Sequence, residues 1–319
     1  MIITAGELLV EFVSHEKGCG LKRLASYSGP YPSGAPAIFI DQAARMGAKT
    51  AIYGGVGEDG FGAALVERLE RDGVDTRHIS RIGDRATGTA FVSYFEDGRR
   101  IFIFHLAGMA SEVFDVEKPL ETDEAVILHV SGSSLGNVAL RRKILTLADR
   151  VLASGGHISF DPNVRPELMR DEDARNALDS LAARARIMLP SEADLDILMP
   201  GHTREEAIAA LHEAGAQVVV VKMGASGCIV SDGSRVEHLP GHRVEEIDPT
   251  GAGDCFCGTF VALLELGTSP VEAARVANAA GALSVTRRGP MEGNSGRDEI
   301  ESFLQAQTRR NGHGHTDDR

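Results

Sequence analysis

The sequence predicts an α/β fold: a doubly wound, mostly parallel sheet flanked by helices, with a small β lid. Three observations carry this expectation. Short β-rich apolar runs alternate with longer segments of helical period for most of the 319 residues. The run QVVVVK at 217–222 is continuously β-branched between its ends, as a strand buried on both faces should be. Residues 10–32 and 86–105 carry no helical stripe and interrupt the alternation. A chain with 43% hydrophobic and 25% charged residues has ordinary globular composition. It has no linker or fixed-period repeat, so residues 1–306 are expected to form one domain.

Taken in order, MIITAGELLVEF opens with a first strand over 1–5. It lacks a basic leader and places Glu7 and Glu11 inside its apolar stretch, which argues against a signal peptide and for a cytoplasmic protein. Residues 10–32 are the first lid segment, and 50–54 the next core strand. GGVGEDGFG then supplies Gly55, Gly57 and Gly60 between a strand and a helix, the context of a dinucleotide fingerprint. Glu58 and Asp59 would set two carboxylates against a pyrophosphate, however. The stretch from Asp75 to Ser80, where the ribose acid belongs, is not a clear apolar strand. A structural turn explains these glycines better than a dehydrogenase does. In FGAALVERLERDG, Phe61, Leu65 and Leu69 recur every four residues until Gly73 stops the helix.

TGTAFVSYFEDGRRIFIFH, within 86–105, reads as two strands joined at Glu96-Asp97-Gly98: a projecting hairpin suited to a lid or a dimer contact. Strands follow at 126–131, 157–161, 187–190 and 217–222. Between the first two of these, Leu140, Ile144, Leu147 and Val151 stripe a helix over 137–153. CIVSDGSRVEHL, 228–239, turns at Asp232-Gly233 as a hairpin at the sheet edge. The polar tail, 307–319, is expected to lack order, and His313 and His315 are too few to argue for a metal.

Composition excludes several function classes. The balance of 33 basic against 46 acidic residues leaves −13, a sign opposed to nucleic-acid or acidic-membrane partners. No apolar run reaches the roughly 18 residues of a membrane span. The four cysteines, Cys19, Cys228, Cys255 and Cys257, form no disulfide framework in a chain with this much core. Cys255 and Cys257 would stand about 200° apart on a helix, which suits small apolar packing better than a metal.

Chemistry concentrates in DPTGAGDCFCGTF, 248–260. Gly251, Ala252 and Gly253 at a helix start offer bare N–H groups to an anion, yet Asp254 adds a negative charge beside them. Phosphoryl transfer reconciles the two: the helix terminus holds the transferring group while the carboxylate takes a proton from an alcohol. The plainer alternative, Asp254 as a helix cap, carries about equal weight from local pattern alone. No GxxxxGKS/T occurs, which removes the Walker phosphate loop.

This stretch resembles the second signature of the ribokinase-like (PfkB-type) carbohydrate kinases. GAPAIFIDQAARMGAKTAIYGGVGEDGFG, 34–62, resembles the first, while VKMGASG, 221–227, and NAAGALSVTRRGP, 278–290, resemble the nucleotide-binding segments. The likeness runs from about Met1 to Leu304. It implies a ribokinase-like fold and an ATP-dependent kinase of a small sugar, using Mg2+ and in some members K+; the unpaired edges of the projecting hairpin separately lead to the expectation of a homodimer. Asp254 would be the base and Gly251, Ala252 and Gly253 the anion hole. Lys222, Gly224, Ser226, Gly227, Thr250, Gly251, Gly253 and Asn278 would line the nucleotide, with Asn278 beside the adenine. Glu11, Gly34, Asn163, Arg165 and Asp254 would meet the sugar. Asp194 would reach magnesium through water, and Asp248 would lie near a monovalent cation.

Three departures bear on this. Ser33-Gly34 and Ile38 stand where relatives read Gly-Gly and Asn. Ser191-Glu192-Ala193-Asp194 replaces Asn-x-x-Glu, shortening the carboxylate by a methylene. Leu106 falls where kinases of keto-sugar acids tend to carry Arg. DPNVRPEL, 161–168, resembles fructokinases and 2-keto-3-deoxygluconate kinases alike. Without a cation at 106 the expected order is a neutral ketohexose (tagatose or fructose), then 2-keto-3-deoxygluconate. A sugar- or nucleotide-binding regulator without catalysis is the alternative of another class.

Overall fold

A computed structural model describes residues 1–97, 99–164 and 171–313. Among them, nine strands form one sheet in the order β13-β12-β11-β10-β9-β8-β1-β4-β5. The central strands β1 (Ile2–Ala5), β4 (Thr50–Gly57), β8 (Ile127–Ser131), β9 (His157–Asp161), β10 (Ala185–Met188) and β11 (Val218–Lys222) run parallel. Alternation along them feeds two cores. Ile2 and Val220 point to one face, Ile3, Val219 and Val221 to the other, and all five are buried. The continuous β-branched run is thus a strand covered on both sides.

The first face carries α1 (Ala35–Arg45), α2 (Gly60–Arg71), α7 (Ala252–Glu265), α8 (Pro270–Ser284) and α9 (Arg297–His313). The second carries α3 (Val138–Ala153), α4 (Glu172–Ala182), α5 (Glu192–Leu198) and α6 (Arg204–Glu213). α7 lies at the centre of its face, buried from Cys255 to Leu263. Its Gly258 lets α1 approach, since a Cβ there would stand 2.4 Å from the Phe39 carbonyl oxygen.

One strand and one helix end differ from the sequence expectation. β5 (Ile79–Ile82), absent from the expected strands, pairs in parallel with β4 and starts at the end of the Asp75 to Ser80 stretch. It is an edge strand with none of its residues fully buried, so it never shows the apolar run of the central strands. α9 continues to His313 and so enters the tail expected to lack order from 307. The hairpin at 228–239 is present as β12 (Cys228–Ser231) and β13 (Val236–Leu239), on the outer edge.

The lid is a separate four-stranded sheet, β3-β2-β6-β7. It comprises β2 (Leu9–Ser14), β3 (Tyr27–Ser33), β6 (Gly88–Tyr94) and β7 (Arg100–His105), drawn from the two segments without helical stripe. β2 and β6 pair in parallel although 74 residues separate the start of one from the end of the other. Gly98, in the turn between β6 and β7, lies outside the described residues.

The glycines of GGVGEDGFG serve packing. A Cβ on Gly55 would lie 2.1 Å from the Ala110 carbonyl oxygen and one on Gly57 2.7 Å from that of Arg85. Asp59 caps α2 through the Gly62 N–H and also accepts from the Thr87 N–H and hydroxyl. Protein atoms therefore take the place a pyrophosphate would need.

Candidate active site

The site lies at the carboxyl ends of the parallel strands, beneath the lid, where open α/β sheets place their ligands. Its centre is the first turn of α7. Gly251 is the N-cap at φ 83°, a left-handed conformation that favours glycine, and no side chain caps the helix. A Cβ at Gly251 would also meet the Pro290 carbonyl oxygen at 2.6 Å. The amides that follow, at Ala252 and Gly253, have no intrahelical acceptor and sit at the positive end of the helix dipole. Asp254 occupies the third helical position, half-buried. It is not the N-cap itself, which is Gly251, but an acid of the helix's first turn.

Lys222 ends β11 and reaches the same turn: a Cβ on Gly253 would stand 3.6 Å from its Nζ. The ammonium pairs with buried Asp161, at the end of β9, and lies 3.6 Å from Cys257 Sγ. Burial, the largest single influence, would discharge Lys222, but the acids around it, Asp161 first and then Cys257 and Asp194, together raise the lysine's pKa. Burial likewise pushes Asp161 up and Lys222 pulls it back. Asp161 also accepts from the Asn163 N–H at 3.1 Å, fixing a turn in which Asn163 adopts φ 38°. The Asn163 amide donates to Ser131 Oγ at 3.2 Å. Arg165, the other residue expected there, lies outside the described residues.

After Lys222 the chain makes a short, exposed 3-10 turn at Gly224–Ser226, then Gly227 at φ 97°. Gly227 admits the chain beside the Leu239 carbonyl, which a Cβ would meet at 2.0 Å. Asn278, on α8, donates to that same carbonyl at 3.3 Å, and Gly281 one turn on faces the Ala252 carbonyl. The nucleotide residues expected from the sequence therefore cluster between this loop and the α7–α8 pair.

On the lid side, Glu11 on β2 is 2% exposed. Its Oε2 accepts from Ser33 Oγ at 3.4 Å, and its Oε1 has no hydrogen-bond partner. Burial, reinforced by the Asp248 charge, pushes its pKa up to about 8, against smaller opposing pulls from Ser33 and Arg100. At neutral pH Glu11 is therefore largely protonated and able to donate as well as accept. Gly34, at φ 110°, starts α1 directly against the Glu7 carbonyl.

The two residues expected near cations are held by protein donors. Asp248 is buried and accepts from the Tyr94 hydroxyl, the Thr250 N–H at 3.0 Å and the Gly289 N–H at 2.9 Å. That leaves little of the carboxylate for a monovalent ion. Tyr94 also lies 2.7 Å from Thr250 Oγ1, so β6 of the lid is tied to the segment leading into α7. Asp194 completes a capping box with Ser191 at the start of α5, and its Oδ1 accepts from the Val164 N–H at 2.7 Å. Among the described residues no cluster of His, Cys, Asp or Glu could hold a metal by itself. These side chains do not fit a protein-held magnesium. Asp161 opens the DPNVRPEL stretch but was not itself expected in the site, and Tyr94 has no motif that announces it; strand order and lid register bring the two into the site.

Comparison with known proteins gives the family and the fold. A fructokinase of Vibrio alginolyticus is 32% identical over 280 residues, 86% of this chain and 91% of that one. An E.coli protein assigned as a ribokinase II, solved with ATP and Mg2+, superposes with a TM-score of 0.89 at 42% identity, covering 96% of this chain and 99% of that one. A fructokinase of Vibrio cholerae O395, solved with fructose, ADP and calcium, gives 0.82 at 26% identity, covering 95% of this chain and 98% of that one. Residues 2–296 match the pfkB family of carbohydrate kinases, and the chain belongs to that family.

Proposed function

We propose that this protein transfers the γ-phosphoryl group of ATP to a terminal primary hydroxyl of a neutral ketohexose of the tagatose or fructose type, with Asp254 as general base. The observation that carries the proposal is the first turn of α7, where an uncapped, left-handed glycine start and a carboxylate share one helical turn. The hydroxyl oxygen attacks the γ-phosphorus, the bond to the ADP oxygen breaks, and the hydroxyl proton passes to Asp254. The α7 amides meet the charge that develops on the phosphoryl oxygens. Magnesium, when present, comes with the ATP phosphates, to which it is ordinarily bound. Glu11, shielded by β2 and β3, hydrogen-bonds the sugar, and the lid excludes water that would otherwise hydrolyse ATP.

The fructokinase relatives support the neutral ketohexose, as does Leu106 in place of a cation. One observation favours a second reading. Arg100, opposite Tyr94 in the lid, is close enough to act electrostatically on Glu11 and could meet the carboxylate of 2-keto-3-deoxygluconate. The same proposal makes the protein a homodimer, since β7 is a lid edge with Ile101, Ile103 and Phe104 exposed. The deciding experiment is ADP release and kcat/KM across tagatose, fructose, other ketoses and 2-keto-3-deoxygluconate. Preference for the keto acid by more than about tenfold, roughly 1.4 kcal/mol, overturns the neutral-sugar reading. ATP binding without turnover of any sugar would favour a regulator.

A further inference from the structure

Beside the base and the amides, the site contains a buried ion pair to which the foregoing mechanism gives no task. We infer that Lys222 Nζ contacts the γ-phosphoryl group as it is transferred, and that Asp161 is the positioning residue that holds Lys222 there. The inference rests on the first turn of α7 being the phosphoryl site. Its basis is placement. The ammonium stands beside Gly253, one residue before Asp254. The group held between that turn and a hydroxyl facing Asp254 is the phosphoryl in transit, not the α- or β-phosphate.

Donor geometry agrees. An ammonium has three N–H donors; Asp161 Oδ2 takes one and Cys257 Sγ lies in the direction of a second, leaving one for a ligand oxygen. Asp161 is itself held, because its other oxygen accepts from the Asn163 N–H. One carboxylate thereby links the turn expected to meet the sugar with the cation expected to meet the phosphoryl group. A lysine with its side chain 13% exposed also needs a partner to remain charged. The charged and titratable groups facing it are Asp161, Cys257 and, at longer range, Asp194 and buried His129. All three that raise its pKa are acidic, and Asp161 is the strongest.

The test compares Lys222→Met, Asp161→Asn and the double variant. Lys222→Met should lower kcat by about 10²–10³, the loss typical of removing one group aimed at transition-state charge, and leave the Kd for ADP within about threefold. Asp161→Asn should lower kcat by roughly 10–10². It should also introduce a fall in kcat with rising pH that the wild type lacks, because a buried Lys222 without its strongest acidic partner gives up its proton more readily. The double variant, which leaves no buried charge unpaired, should be no slower than Lys222→Met alone. Thermal denaturation reports whether Asp161→Asn folds. If it does not, Asp161→Glu, which keeps the pair but moves the ammonium, should reproduce the kcat loss with ADP affinity intact. Loss of ADP affinity as large as the loss of kcat, additive single-variant effects, or an unchanged pH profile would each overturn the assignment. If the wild-type protein turns over no sugar, the parent reading fails instead. A weakening of ATP but not ADP binding in Lys222→Met would still decide the role of Lys222.

Discussion

Asp254 and Glu11 are two acids put to opposite uses by their surroundings. Asp254 is half-buried in the first turn of a helix, beside the amides of its N-terminus. Replacing it with Asn should leave ATP binding intact, as calorimetry would report, and cost roughly 10²–10⁴ in turnover. Near-wild-type turnover in that variant would remove it as the base. Glu11 is buried beside Asp248, with a pKa raised from 4.5 to about 8. The folded protein therefore holds a proton that the unfolded chain gives up above about pH 4.5. Stability contributed at this residue falls as pH rises from about 4.5 to 8 and is level outside that window. Glu11→Gln cannot ionise, so its Tm relative to wild type should climb across those pH values. A constant offset between the two Tm curves would contradict the assigned protonation.

At the level of elements, α7 depends on two glycines for different reasons. Gly251 supplies a left-handed start, and Ala there would both strain the backbone and push a Cβ against Pro290. Gly251→Ala should cost about 1–3 kcal/mol by denaturant titration and raise the KM for ATP as the anion turn shifts. Gly258 has ordinary helical backbone and matters only for contact: its Cβ would collide with α1. Gly258→Ala should lower Tm by several degrees, with smaller effect on the KM for ATP. The start of α7 was legible in DPTGAGD because glycine and aspartate at a helix entrance have few other uses. The pairing of β2 with β6 was not, since parallel pairing between distant segments leaves no local trace in either. The pairing of Asp161 with Lys222 was hidden for a similar reason: the two lie two strands apart, and only the order β11-β10-β9 brings them together.

For the whole molecule, the parallel sheet and its two layers were readable because strands covered on both faces must be apolar throughout. β5 escaped because an edge strand need not be. The lid was recognised as β structure, but not as a four-stranded sheet with β7 on its rim. That rim carries the dimer prediction. Light scattering at micromolar concentration should give twice the chain mass of 33.9 kDa, and Phe104→Lys should return it to one. A wild-type monomer at that concentration would refute the lid interface.

The burial of α7 has a consequence for how the molecule breathes. Its segment from Cys255 to Leu263 is enclosed by α1, α8 and the sheet, so its amide hydrogens can exchange with solvent only when the whole domain opens. The lid rests on fewer neighbours, and its attachment through Tyr94 is two hydrogen bonds to side chains. Hydrogen exchange should therefore be slowest along α7 and orders of magnitude faster in β6 and β7. The residue that takes the proton would then stand on the last part of the protein to open, and the cover that keeps out water on one of the first.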